Sequence, residues 1–209
     1  MVKLYVEGGG DSGALKTECR KGFTQFITKA GIVKRPRVIA CGSRRDAYES
    51  YCTAIQNGDA AFLLVDSEEP IDASNQNGKP DEWTPWRHLK NRAGDNWDKP
   101  HTVADTDCHL MTQVMESWFI ADRKALKNFF GAEFKEDKLP PAKSPTEDLR
   151  KKAIYDSLRD STRLCKNKGE YGKGSHSFKI LSDIDPISVT TASPWAKRFI
   201  DELKKKMDP

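Results

Sequence analysis

Residues 3–6 alternate in character and are rich in β-formers, and three glycines at 8, 9 and 10 then break the pattern. Asp11 or Ser12 can cap the helix that follows, which is predicted to run to about residue 30. A short apolar run at 37–41 precedes a helical stretch over 45–56, closed by Asn57-Gly58, and residues 60–65 form an unbroken apolar run. A strand covered by helices on both faces has no polar side to alternate with, so that run reads as a buried parallel strand. The first 70 residues therefore read β-α-β-α-β. This order implies a parallel sheet whose ligand site lies beyond the carboxyl ends of its strands.

The rest of the chain is read more coarsely. Residues 69–100, with Pro70, Pro80, Pro85, Pro100 and the tryptophans Trp83, Trp86 and Trp97, form a polar insertion with one short helix near 86–92. A fourth strand is expected at 110–114, then one helix over 117–130 ended by Gly131. Proline-bearing residues 132–146 read as a connector, followed by a helix at 147–161, a Gly/Lys loop at 167–175 and an amphipathic helix at 194–206. The expected fold is an α/β, Rossmann-like parallel sheet flanked by helices. Residues 1–131 make its core, and 132–209 a helical extension packed on it.

Composition narrows the class. Hydrophobic residues are 37% and charged residues 32% of the 209, with nine Phe and five Trp, enough apolar surface to fold. No apolar run approaches the ~18 residues of a membrane span, and the charged, Gly-rich start does not read as a signal peptide. Five scattered cysteines without a Cys-x-x-Cys pair suggest neither a disulfide framework nor a zinc cage, so a reducing cytoplasm is expected. Net charge is +4, but basic residues cluster at 34–37, 44–45, 150–152 and 166–173. Such clusters suit phosphate-rich partners, although for any one of them a solvated mixed-charge surface is the commoner reading.

Acidic residues fall where strands should end. Glu7 closes the first strand and Asp11 returns four residues later across the glycines. Asp66-Ser67-Glu68 follows the apolar strand, where period two puts both carboxylates on one side if the extended geometry persists. Glu116 sits among large apolar residues. Carboxylates gathered in a low-dielectric place need protons or a cation, and hard oxygen ligands favour Mg²⁺ or Mn²⁺, giving Glu7, Asp11, Asp66 and Glu68 as candidate ligands. Each has a plainer role available: Asp11 as a helix cap, Asp66 and Glu68 as turn residues before Pro70, and Glu116 as a cap. Lys173 and His176 read equally as surface, and the tryptophans as packing. The four histidines have no ligand-like spacing.

Gly8-x-Gly10-x-x-Gly13 also matches a dinucleotide fingerprint, with Ser43-Arg44-Arg45 as a 2′-phosphate clamp, which would make the chain an NADP-binding Rossmann protein. Two carboxylates beside the turn repel a pyrophosphate, and Arg44 lies well beyond the ~20 residues at which the ribose contact is expected. No Gly-Lys-Ser/Thr follows, which excludes a P-loop.

A strand ending in Glu7-Gly8, followed by the acidic pair Asp66-x-Glu68, resembles the signature of Toprim domains. With Asp11, the segment Met115-Glu116-Ser117-Trp118 and Tyr171-Gly172-Lys173, the chain looks like stand-alone Toprim-like proteins related to OLD-type nucleases. The resemblance implies a Mg²⁺-dependent nuclease, an effector in prokaryotic phage defence controlled by an ABC/AAA-type ATPase. Glu7, Asp11, Asp66 and Glu68 would hold metal, Glu7 or Glu116 accept a proton, and Lys173 stabilise negative charge. Arg44, Arg45, Lys173 and His176 would contact nucleic acid, and a homo-oligomer is allowed. The pair reads Asp-x-Glu where Asp-x-Asp is usual in the superfamily, which leaves room for a non-catalytic binding or regulatory subunit of an ATPase complex.

Overall fold

The computed structural model describes residues 1–142 and 145–207. Four parallel strands, β1 (Lys3–Gly9), β2 (Arg37–Gly42), β3 (Ala61–Asp66) and β4 (Cys108–Met111), form one sheet in the order β2-β1-β3-β4. The first two connections are α1 (Gly13–Lys29) and α2 (Arg44–Gln56). Ser12, rather than Asp11, caps α1, accepting from the Leu15 amide at 3.3 Å, and Ser43 with Asp46 forms a reciprocal capping box on α2. The result is the Rossmann-like α/β sheet that the alternation of patterns predicts.

The pleat sorts the strand residues between two layers of core. Leu4, Val6, Phe62 and Leu64 join one buried cluster, and Tyr5, Ala61, Leu63 and Val65 the other. All six residues of β3 are buried, which explains its unbroken apolar run. The insertion between β3 and β4 holds the short helix α3 (Pro85–Asn91), and its Trp83, Trp86 and Trp97 are buried in the second cluster, as packing residues.

After β4 the expectations need correction. β4 stops at Met111 rather than 114, and the single helix is two, α4 (Glu116–Ala121) and α5 (Arg123–Phe130). Asp122 breaks them: it leaves the helical region, and its carboxylate caps α5 on the Ala125 amide and accepts from the Asp185 amide at 2.8 Å. α6 spans Lys151–Thr162. The expected Gly/Lys loop turns into α7 (Lys173–Asp183), and α8 (Pro186–Ala192) precedes α9 (Pro194–Met207). Leu181, Phe199 and Leu203 of these helices share the buried cluster with Leu4 and Phe26. α9 also covers the end of β4, where buried Arg198 donates to the carbonyls of Pro80, Asp105 and Cys108.

The cysteines are free thiols, and no helix among the described residues is long and apolar enough to cross a membrane.

Candidate functional site

The direction in which strands are added reverses between the parallel neighbours β1 and β3, since the chain runs outward from β1 to β2 and then crosses back to lay β3 on the other side of β1. Such a switch point opens a crevice at the carboxyl edge. The register pairs Val6 with Leu64, which sets Glu7 of β1 beside the end of β3, where Asp66 lies. The Asp66 amide donates to Glu7 Oε2 at 3.0 Å, and the Met115 amide donates to Asp66 Oδ1 at 2.7 Å.

Close approach is what the glycine turn provides. A Cβ on Gly9 would lie 2.7 Å from the Lys16 backbone, and one on Gly8 2.8 Å from the Phe178 ring, and both residues have positive φ. This turn, Glu7, Asp66, Glu116 and Lys173 line a cavity of about 250 Å³.

Glu68 joins the group by a route that period two does not describe. The chain leaves the extended region at Glu68, whose φ of 64° is left-handed, and the Glu68 amide donates to Gln113 O at 2.7 Å. That turn brings its carboxylate back, so that Glu7, Asp66 and Glu68 each offer an oxygen within 4.8 Å of the others. Asp11 does not join them; it is exposed at the turn and does not line the cavity. Lying just before the cap of α1, it is carried outward with the helix start.

The three acids differ in electrostatics. Burial raises the Glu7 pKa to about 7, against Arg44 and the Asp66 amide, which favour its charge. Asp66, 2% exposed, is raised well above the usual carboxylate range by burial and then by Glu7 and Glu116. Burial also acts on Glu68, but its ion pair with Lys151 prevails and lowers its pKa. Lys151 is a site residue that sequence reasoning missed. It starts α6, 83 residues from Glu68, and Gln113 aligns the two by accepting the Lys151 amide at 2.9 Å through its side chain.

Glu116 is fully buried and accepts from Tyr171 at 2.8 Å, Tyr155 at 3.1 Å and Ser177 at 3.4 Å. The tyrosines too are absent from the sequence-derived roles. Lys173, at the start of α7, places its ammonium 5.7 Å from the Tyr155 ring centre. Burial works against its charge, but Glu116 and Asp66 outweigh that and raise its pKa.

The expected nucleic-acid contacts divide. Arg44 turns inward, with Nε 3.3 Å from Glu7 Oε2 and donating to Asp66 O at 3.1 Å, and Nη1 on Asp95 Oδ1 at 2.6 Å. It braces the acids and is not a free surface cation. Arg45 is exposed, paired with Glu49 one turn on. His176 is buried against Phe129, Phe130 and Tyr171, its Nδ1 accepting from the Gly172 amide at 3.0 Å. The expected loop ends at Gly172 and His176 lies in the first turn of α7, so its ring faces the core and makes no surface for nucleic acid.

A family model described as a domain of unknown function, DUF4276, matches residues 6–204. No curated protein and no solved structure matches the chain.

Proposed function

Because the chain belongs to the DUF4276 family, whose description names no activity, we propose its function from the site itself: Mg²⁺- or Mn²⁺-dependent hydrolysis of phosphodiester bonds in nucleic acid. The observation that carries this reading is the convergence of Glu7, Asp66 and Glu68 within 4.8 Å at the carboxyl edge of the sheet. Hard oxygen donors at that span suit a small divalent cation that keeps part of its water shell. The raised pKa values of Glu7 and Asp66 mark a charge-burial penalty that such a cation relieves. When bound, the ion supplies an activated water and stabilises charge on the phosphoryl oxygens.

The chain's own residues do the rest. The Met115 amide and Arg44 hold Asp66 and Glu7 in place. Burial holds the Glu7 carboxyl at about 7 in the metal-free chain, and a cation bound at the acids would displace that proton, so Glu7 would serve as a ligand and leave the attacking water to the metal. Lys173, kept protonated by Glu116 and Asp66, faces the same cavity and neutralises charge growing on the phosphate. Glu116 has both oxygens committed to tyrosines, so its part is to sustain the charge of Lys173. A dinucleotide fits less well, since its pyrophosphate would lie against Glu7 and Asp66.

Plasmid, single-stranded DNA and RNA incubated with the protein in Mg²⁺ or Mn²⁺ provide the test. At least one should be cut, a chelator should stop the reaction, and D66N should slow it by about 100-fold or more. No metal-dependent cleavage of any of the three, alone or with an ATPase encoded beside it, would remove the hydrolase reading.

The second reading, a non-catalytic subunit, draws on Lys151 and Arg44, which already place positive charge on Glu68 and Glu7. In that case D66N keeps the biological effect. The Toprim resemblance supports a defence role under an ABC/AAA-type ATPase in the cytoplasm, and co-purification of the two proteins tests it.

A further inference from the structure

The largest cleft described lies next to the acid cluster and is not used by the chemistry above. It holds about 650 Å³, the size of a nucleotide site, and Glu68 forms part of its wall, so it borders the acid cluster on that side. Arg44 runs from Glu7 into the same cleft, where its guanidinium lies 4.8 Å from the Trp97 ring centre. Tyr48 stacks flat on Trp97, with 4.6 Å between ring centres and an angle of 1°. These three planes make a rigid wall. Asp95 stands beside them as a buckle, its Oδ1 held by Arg44 at 2.6 Å and by Arg92 at 2.9 Å.

The charges of this cleft select the kind of ligand. Arg44, Arg45 and Arg92 line it, and so do Glu49, Glu68 and Asp95, three of each sign. A bare polyanion needs a surplus of positive charge and finds none. A nucleotide unit, with one phosphate charge and a flat heterocycle bearing donors beside acceptors, matches a balanced, partly aromatic cleft. Two buried atoms point the same way. The Asp95 side chain is 3% exposed, yet its Oδ2 has no hydrogen-bond partner, and the adjacent Arg44 Nη2 has none either. A buried acceptor and a buried donor left unpaired each cost free energy, and a small side-chain shift on binding would let a base edge, which carries both donor and acceptor, pair with them. Arg45, whose side chain is 81% exposed, is tied only to exposed Glu49 and can turn to a phosphate at little cost.

We infer that this cleft receives the nucleotide next to the bond that is cut, base inward, and that the substrate is therefore an unpaired strand. A base in a duplex is stacked and paired and cannot enter a cleft without leaving the helix. The inference rests on reading the acid cluster as the cleavage site.

The test is anisotropy with a labelled mixed-sequence single strand, as DNA and as RNA, and with the matching duplex, on D66N protein so that nothing is cut. The single strand should bind at least about tenfold more tightly than the duplex. R45E, an exposed change, and D95N, a change of equal shape, should each weaken single-strand binding about fivefold or more, with melting curves showing folded protein. Nucleoside monophosphates should compete, and inorganic phosphate at the same concentration should not. Equal affinity for duplex and single strand, or unchanged binding by both folded variants, overturns the inference. Single-strand selectivity lost in the variants supports the cleft as a site for an unpaired nucleotide even if the wild type cuts nothing, an outcome that removes the hydrolase reading and with it only the placing of that nucleotide beside a cut bond.

Discussion

Asp66 and Glu7 are buried where a carboxylate charge is costly, and their substitution separates stability from function. In D66N the amide oxygen can still accept from the Met115 amide, so the bond at 2.7 Å survives while the buried charge goes. Metal-free D66N should therefore melt higher than the wild type at pH 8, by about 2–4 °C for each kcal/mol recovered, even as cleavage is lost. Calorimetry in chelator checks this, and a lower melting temperature would contradict it. Around Glu116 the sign reverses. Y171F removes the phenol that donates at 2.8 Å to a fully buried carboxylate. A loss of about 1–3 kcal/mol in urea titration is expected. Glu7, Asp66 and Glu116 were legible as candidates because a carboxylate at the end of an apolar strand, or among large apolar residues, is unusual in any sequence. Tyr155 and Tyr171 were not, because a tyrosine gives no sign of what its hydroxyl will meet.

Among the elements, α9 depends most on one residue. Arg198 is 1% exposed and has no carboxylate partner among the described residues; its guanidinium instead binds three backbone carbonyls and sits 3.0 Å from His109 Nδ1. It closes the end of the edge strand β4 with an ordered helix instead of solvent. R198A removes three hydrogen bonds and a buried guanidinium at once, and chemical denaturation should register a loss of about 3 kcal/mol. The helix boundaries that the sequence pattern missed have causes at this scale too. The α4–α5 break needs Asp122 to bind the Asp185 amide, a contact across 63 residues, and α7 forms where glycines and lysines suggest a loop because its Phe178, Ile180 and Leu181 find a core to bury.

For the whole molecule, pH acts through two opposed groups of titrations. Glu7 rises from its ordinary 4.5 to about 7 on folding, so the folded state keeps a proton that the unfolded chain releases, and this contribution to stability is lost as pH rises through that window. Asp66 acts in the same direction. His109 is held well below its ordinary 6.5 by burial and by Arg198, so the unfolded chain alone takes a proton below that value, and stability is lost as pH falls. Metal-free protein should thus show a shallow stability profile between pH 5 and 6.5. With saturating Mg²⁺ the carboxylate protons are displaced, and stability should climb across the same range; an identical profile with and without Mg²⁺ would count against a cation at the acids. The alternation of strand and helix, the parallel sheet and the placing of Glu7 and Asp66 at its carboxyl edge all followed from the sequence alone, because hydrophobic period and crossover rules act locally on any chain. Which acids meet was decided by the tertiary structure. Asp11 is carried away with the start of α1, Glu68 returns only through a left-handed turn, Lys151 arrives from 83 residues on and His176 turns into the core. Each of these outcomes depends on backbone turns and on packing between distant segments, for which neighbouring residues carry no periodic trace.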